Sequence, residues 1–404
     1  MASTHTEQTA APKEQKPKKR VRVNQNRIYR LIGEVDRPLL IVIIALVCIG
    51  SVMIFSASYA VAESRFGDSY YFARSQVGFA VVGILAMALV ARILDYRVLK
   101  RFAYIFYVIA LGLNFLVPFF GETINGATRW FVIFGLQFQP SELLKFALVL
   151  ACATYISNHY SEMRTLKGSL PLVAFTGAAA AATLLQSHLS ATIIICLLMV
   201  VMLWLSGLKG FYFGVVIGAV AVLAIFLLTF GRGIIEALVP QALTRLEVWE
   251  DPFSFMGGEG KGWQPAQSLY AISSGGFWGL GLGQSNQKHG YLPEPQNDYI
   301  FAILAEELGF FGVICVIVLF GVLAYRGFHV SRNAPNRFSS MLAMGITAQI
   351  VIQVMLNLAV VTNTLPSTGI SLPFFSYGGT SLIILLAEMG IVLSISRYSF
   401  IEQG

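Results

Sequence analysis

Long apolar runs follow one another through most of this chain, separated by short clusters of Gly, Pro, Asn and charged residues. A helix needs roughly 18 or more apolar residues to cross about 30 Å of hydrocarbon at 1.5 Å per residue. On that measure we place about ten spans, in Pro38–Ser56, Val77–Ile93, Ala103–Phe120, Leu143–Ser157, Leu170–Leu185, Leu189–Leu205, Phe211–Phe230, Tyr299–Tyr325, Met341–Val361 and Ser381–Ile395. One connection differs from the rest. About 65 residues, 231–297, separate the seventh span from the eighth, and structureless loops of that length are usually functional. The pattern predicts an all-α polytopic membrane domain over 38–400, with a large extracytoplasmic loop at 231–297.

Composition agrees with this reading. Of 404 residues 56% are hydrophobic and 12% charged, and the mean hydropathy is +0.69, far from ordinary soluble domains. The net charge of +7 is not pooled into an exposed patch with aromatic partners, which argues against nucleic acid as a partner. The cations sort by side instead. With both termini cytoplasmic, the inner segments hold twenty Lys and Arg and the outer loops seven, with Lys145 inside a span. That asymmetry satisfies the positive-inside rule for an even number of spans. Residues 1–37 are basic and rich in Lys, Pro and Gln, so a disordered cytoplasmic tail that touches anionic lipid is expected, with no cleavable signal peptide. Cys48, Cys152, Cys196 and Cys315 lack metal or redox spacing and are expected as buried hydrophobes.

The polar chemistry concentrates on the outer side. The long loop holds IIEALVPQALTRLEVWEDPF, spaced for a short interfacial helix, then GGEGKGW and SSGGFWGLGLGQSNQK. No P-loop pattern is present, which argues against a nucleotide site. A second island is NGATRWFVIFGLQFQPSELLKFAL, Asn125 to Leu148, where Arg129 and Trp130 suit the membrane interface. Glu142 and Lys145 share a helix face at i,i+3, either as a neutralising pair or as substrate contacts. The third, TNTLPSTGISLPFFSYGGTS, reads as a re-entrant loop or a plain turn.

The eighth span opens with LPEPQNDYIFAILAEELGFFG and carries three carboxylates, Asp298, Glu306 and Glu307. Charges at bilayer depth are functional suspects. On a helical wheel started at Asp298, Ala302, Ala305, Gly309 and Gly312 fall within roughly 40° of it, Glu307 opposite, and Glu306 about 80° round and roughly 12 Å deeper. A paired-carboxylate glycosidase mechanism is therefore not supported. The small-residue stripe admits either a packed helix or a groove open to lipid. Asp298 follows a Pro-flanked loop and stands at the water boundary, where a carboxylate serves as a general base or holds a metal ion. Glu306 and Glu307 suit structural pairing or proton storage.

The motifs GATRW, FQPSELLK, QSLYAISSGGFWGLGLGQS, QKHGYLPEPQNDYIFAILAEELGFFG and LPSTGISLPFFSYGGTS, in this order, resemble the SEDS family (shape, elongation, division and sporulation) of FtsW/RodA type, over about Val35 to Arg397. The resemblance implies a bacterial cytoplasmic-membrane glycosyltransferase that polymerises lipid II, with its active site on the extracytoplasmic side. QK before HGYLPEP looks more like the division and sporulation branch than the elongation branch. The family's essential aspartate falls on Asp298, flanked here by Gln296, Asn297 and Tyr299. Where the family commonly has Q-P-D-L-G-T, this chain has Gln186, Ser187, His188, Leu189 and Ser190, so no acid role transfers there, and His188 is expected to titrate near neutrality.

The reaction so implied joins the 4-hydroxyl of one N-acetylglucosamine to the anomeric carbon of another chain's N-acetylmuramic acid and releases undecaprenyl pyrophosphate. Asp298 is assigned as the base, with direct coordination of a divalent cation (Mg or Mn) as the competing role. Arg129, Lys288 and Lys145 are candidates for the pyrophosphate, and Gln139, Glu142, Gln267 and Ser376 are further contacts or supports. The lipid tail would use grooves beside the small-residue stripe. A class B penicillin-binding protein is the implied partner, alongside other divisome or elongasome proteins. Alternatives are an elongation-type polymerase, a lipid flippase or transporter, and a scaffold without catalysis.

Overall fold

The computed structural model describes residues 33–124, 127–133, 135–230, 242–254 and 262–398. The basic tail expected over 1–37 lies outside them but for its last five residues, as do two stretches of the long loop, 231–241 and 255–261.

A helix falls on each of the ten predicted spans. They are α1 (Arg37–Phe66), α2 (Tyr71–Ile93), α3 (Tyr96–Phe120), α4 (Pro140–Asn158), α5 (Leu166–Leu184), α6 (Leu189–Leu205), α7 (Gly210–Phe230), α10 (Ile300–Arg332), α11 (Arg337–Val361) and α12 (Gly379–Ser396). The long loop adds α8 (Ala242–Glu250), where the sequence predicted an interfacial helix, and α9 (Trp263–Gly275). Among the described residues, α1 to α4 and α10 to α12 are long and apolar enough to cross a membrane. Helices α4, α11 and α12 form the buried centre, whereas α2 and α3 expose most of their surface. That exposed surface is apolar: Val81, Leu85 and Leu89 on α2, Ile105, Val108 and Ile109 on α3. Apolar patches of this extent belong against lipid rather than water. Cys48 and Cys315 are also exposed and Cys196 is only partly covered, so of the four cysteines expected to be buried Cys152 alone is. Span hydropathy cannot separate a lipid face from a protein face, because both are apolar.

The two ends of the bundle differ. At one end Asp36 caps α1 through the Leu39 amide (2.9 Å) and pairs with Arg326 at the far end of α10. There too the Asn336 amide meets the Tyr96 hydroxyl (3.1 Å), and Arg397 donates to the Ala91 carbonyl (2.8 Å). The opposite end gathers α8, α9, the irregular segment 362–378 and a small sheet.

That sheet corrects the all-α expectation. Strands β1 (Glu122–Ile124), β2 (Ala127–Ile133) and β3 (Leu136–Phe138) pair antiparallel, with Thr123 opposite Thr128 and Phe131 opposite Phe138. Its sequence has an Asn-Gly pair between runs of Thr, Ile, Trp, Phe and Val, which is hairpin chemistry. Span-length windows average over so short a signal.

A second correction concerns α10, which is not a regular helix. Gly309 has φ +66° and ψ −170°, a backbone conformation open to glycine and closed to other L-residues. A regular helix would bond Phe310 N–H to the Glu306 carbonyl and Phe311 N–H to that of Glu307. Instead Phe310 and Phe311 donate to the carbonyls of Gly276 and Phe277 (3.0 and 3.1 Å), while Leu280 and Gly281 donate to those of Glu306 and Glu307 (both 3.0 Å). The loop backbone is threaded into the helix. It passes so close that a Cβ on Gly309 would collide with the Gly279 nitrogen. Ala302, Ala305 and Gly309 are buried, with Gly275 and Gly279 against the Ala305 and Glu307 carbonyls, so this part of the small-residue stripe is packed by the chain itself, whereas Gly312 is only partly covered.

Candidate functional site

Asp298 sits in the turn just before α10, not on the helix as the wheel assumed. Its main chain is held from two sides. Asn357 of α11 is fully buried and bridges the Asp298 carbonyl (2.9 Å) and the Ile370 carbonyl (2.6 Å). Next to it, Ser376 donates to the Asn297 carbonyl (2.8 Å) and accepts from the Leu372 amide (2.7 Å), and Tyr377 N–H donates to Gln296 (2.8 Å). The segment 362–378 is thus an irregular strap, with Ile370, Leu372, Phe374 and Phe375 buried in the bundle. It is more than a plain turn, since four of its apolar side chains are buried. Ser376 supports this strap and the turn carrying Asp298.

The Asp298 side chain is treated differently. It lies half-buried against Gly369, and among the described residues no hydrogen bond reaches its carboxylate. Desolvation raises its pKa to about 6, against the pull of Arg129 and Arg245 and with reinforcement from Glu294. Arg129 projects from β2 and donates to the Ser187 carbonyl (2.5 Å), while its Nε is buried without a partner among the described residues. Burial, then the neighbouring Arg245, lowers its pKa to about 10, partly offset by Asp298. Arg245 comes from α8 and donates to the Ser367 carbonyl on the strap (3.1 Å). Its pKa is lowered by burial too, with Tyr299 and Asp298 opposing. Three elements far apart in sequence therefore bring one carboxylate and two guanidinium groups into mutual electrostatic range.

Arg245 was missed from the sequence as a site residue. The signal was present: the one cation in a short amphipathic segment of the long loop. His188 at the start of α6 belongs to the same cluster, but not as expected. It is buried, and desolvation followed by Arg129, Lys145 and Arg245 holds its pKa well below the ordinary 6.5, so it is neutral at pH 7.

Other candidates are drawn elsewhere. Lys288 is fully buried, with its ammonium 2.6 Å from Glu307 and 4.8 Å from the Tyr59 ring centre. It is committed to that pair and cannot meet a pyrophosphate. Lys145 is equally enclosed, 2.9 Å from Glu142 and 3.2 Å from the Gln353 amide oxygen, which favours the neutralising-pair reading over substrate contact for both Glu142 and Lys145. Gln139 ends the sheet at the N-cap of α4. Gln267 lines a separate cavity of about 460 Å³ with Trp263, Tyr270, Asn286, Gln287, His289 and Tyr291. The wheel separated Glu306 from Glu307, yet both serve one task. Glu306 accepts from the Ser285 hydroxyl and the Asn286 amide (3.0 Å). Glu307 accepts from the Ser56 hydroxyl (2.5 Å) as well as Lys288. Together they tie residues 285–288 to α10. Within α12, Glu388 is buried against the Gln349 amide (3.1 Å), a membrane-depth carboxylate that the sequence reading passed over. Among the described residues no three His, Cys, Asp or Glu side chains are placed to hold a metal ion.

A bundle of apolar helices, with an acid and two arginines gathered under irregular loops at one end, marks a polytopic membrane protein. Residues 37–400 match the family of cell cycle proteins typified by FtsW, RodA and SpoVE, and the chain belongs to that family. It is 37% identical over 374 residues to stage V sporulation protein E of Bacillus subtilis, covering 90% of this chain and 97% of that one. It is 36% identical over 374 residues to a probable peptidoglycan glycosyltransferase FtsW of Geobacter sp. (strain M18), covering 91% and 98%. Among solved structures, a chain described under structural coordination of polymerization and crosslinking by a peptidoglycan synthase complex superposes with a TM-score of 0.74 at 28% identity, covering 90% and 98%. The rod shape determining protein RodA of Thermus thermophilus superposes at 0.65 and 27%, covering 91% and 98%.

Proposed function

We infer that the protein is a peptidoglycan glycosyltransferase that polymerises lipid II into glycan strands, in division or related septal wall synthesis. Family membership and relatives named FtsW and SpoVE support the activity and the branch. The observation that carries the residue assignment is the half-buried Asp298 carboxylate, free of hydrogen bonds among the described residues and flanked by Arg129 and Arg245. A base with a pKa about 6 is mostly ionised at neutral pH yet keeps useful basicity. Asp298 takes the proton of the acceptor 4-hydroxyl as its oxygen bonds to the anomeric carbon. The bond to pyrophosphate breaks, its electron pair leaves with the phosphate oxygen, and the proton later passes to water. Arg129 and Arg245 stabilise the negative charge that develops there.

A divalent cation, Mg or Mn, fits this donor set only with help from the substrate. Asp298 would supply one oxygen, and pyrophosphate oxygens and waters the remainder, which is a common arrangement for Mg. Such an ion would neutralise leaving-group charge.

In this reading the ten helices act as ten membrane spans, with both termini cytoplasmic and Asp298 on the extracytoplasmic side, a placement supported by the distribution of Lys and Arg. A class B penicillin-binding protein is the proposed partner, supported by the likeness to a chain of a peptidoglycan synthase complex. A flippase would need polar residues continuing through the inner half of the bundle. The decisive assay is polymerisation of lipid II by purified protein in detergent, where flipping has no meaning, with and without the partner and with divalent cations removed. Asp298→Asn and Asp298→Ala should purify normally and make no glycan. Strands made at the normal rate by either variant would remove Asp298 from the role of base.

A further inference from the structure

At the end of the bundle away from Asp298, a cavity of about 290 Å³ opens between α3, α4 and α11. Its walls are Arg97, Lys100, Ser157, Asn336, Arg337 and Phe338. Three cations converge there from two helices. Only Arg97 has a carboxylate in ion-pair range, Asp95 at 4.0 Å, and among the described residues none comes as near to Lys100 or Arg337. Lys100 and Arg337 are held by ring faces instead, and Arg97 meets a ring as well. Lys100 stands 5.8 Å from the Phe338 ring centre, Arg337 lies 3.4 Å over Tyr160, and Arg97 lies 5.6 Å over Tyr398. Rings orient a cation without neutralising it. Three cations face one carboxylate, so among the described residues the cavity keeps a net positive charge.

The surroundings say what the anion is attached to. On α3, the helix that supplies Arg97 and Lys100, Tyr104 and Val108 follow Lys100 on the same face at i+4 and i+8, and both are exposed. They lead from the cavity along the surface assigned to lipid. We propose that this cavity binds the headgroup of an anionic phospholipid of the cytoplasmic leaflet. The phosphodiester sits among Arg97, Lys100 and Arg337, and the acyl chains run down the exposed face of α3. A free phosphate ion would meet the same cations but leave that apolar face unused, so we assign the lipid. Basic pockets between helices on the cytoplasmic side are recurrent sites for such headgroups. The inference rests on the membrane placement and not on the reaction at Asp298, so an inactive but folded protein would leave it intact.

The test is native mass spectrometry of the full-length protein released from nanodiscs of phosphatidylglycerol and phosphatidylcholine, followed by titration with phosphatidylglycerol. Each Lys or Arg near an anionic lipid surface contributes a factor of roughly five in affinity. The double variant Lys100→Gln with Arg337→Gln should bind its most tightly held phosphatidylglycerol about thirtyfold more weakly. The charge-keeping pair Lys100→Arg with Arg337→Lys should retain it, which separates loss of charge from loss of fold. Equal retention by wild type and the Gln variant overturns the proposal. So does displacement of the lipid by inorganic phosphate at millimolar concentration, which would make the site one for a soluble ion.

Discussion

Asn357 holds the Asp298 carbonyl and Ser376 that of the preceding Asn297, while the Asp298 side chain lies within electrostatic range of two arginines. A carboxyl group raised to about 6 holds its proton more tightly folded than unfolded. Its ionised form therefore costs stability as pH rises through the range from its ordinary value to about 6, and the ionised form is the one that works. The expected pH profile of kcat/KM falls about tenfold per unit below pH about 6. A profile flat down to pH about 4.5 would remove the raised carboxylate from the rate-limiting chemistry. Arg245→Gln should lower kcat/KM by roughly a hundredfold at unchanged yield, measured by the same polymerisation assay. The position of Asp298, in a turn at the head of an apolar helix, was legible in the sequence because a Pro-flanked loop meets an apolar run at that residue. Lys288 as a pyrophosphate ligand was not borne out by its setting, and for Lys145 the structure favours one of two open readings, the pair with Glu142. Sequence shows that a lysine is near a site but not whether a buried glutamate has already claimed it.

At the scale of elements, the ten helices were readable because span length is a simple physical requirement. The sheet and the break in α10 were not, since both depend on contacts between segments distant in sequence. The wheel gave Glu306 and Glu307 different faces of a regular helix. With the helix opened at Gly309, both side chains hold residues 285–288 of one loop. Removing one member of a fully buried ion pair costs about 3–5 kcal/mol, because the other charge is left uncompensated. Glu307→Gln alone, or Lys288→Met alone, should sharply reduce yield and thermal midpoint. The double variant Lys288→Met with Glu307→Gln should recover most of the loss, since Gln keeps an acceptor for the Ser56 hydroxyl. Lack of recovery in a thermal melt would mean that the ammonium does more than balance Glu307.

For the molecule as a whole, the charge asymmetry along the chain and the two unlike ends of the bundle make one prediction about orientation. In a cysteine-free background, Phe253→Cys on the loop side should react with a membrane-impermeant thiol reagent in intact cells, and Arg101→Cys only after permeabilisation. The reverse pattern would invert the topology. The break at Gly309 also bears on how such a chain is built. In hydrocarbon an unbonded carbonyl is worth several kcal/mol, and the Glu306 and Glu307 carbonyls take their amides from Leu280 and Gly281. Those amides belong to residues synthesised before α10 itself. The splint leaves the ribosome ahead of the helix it mends, so the span with the broken ladder never has to wait in the bilayer for chain that has yet to be made.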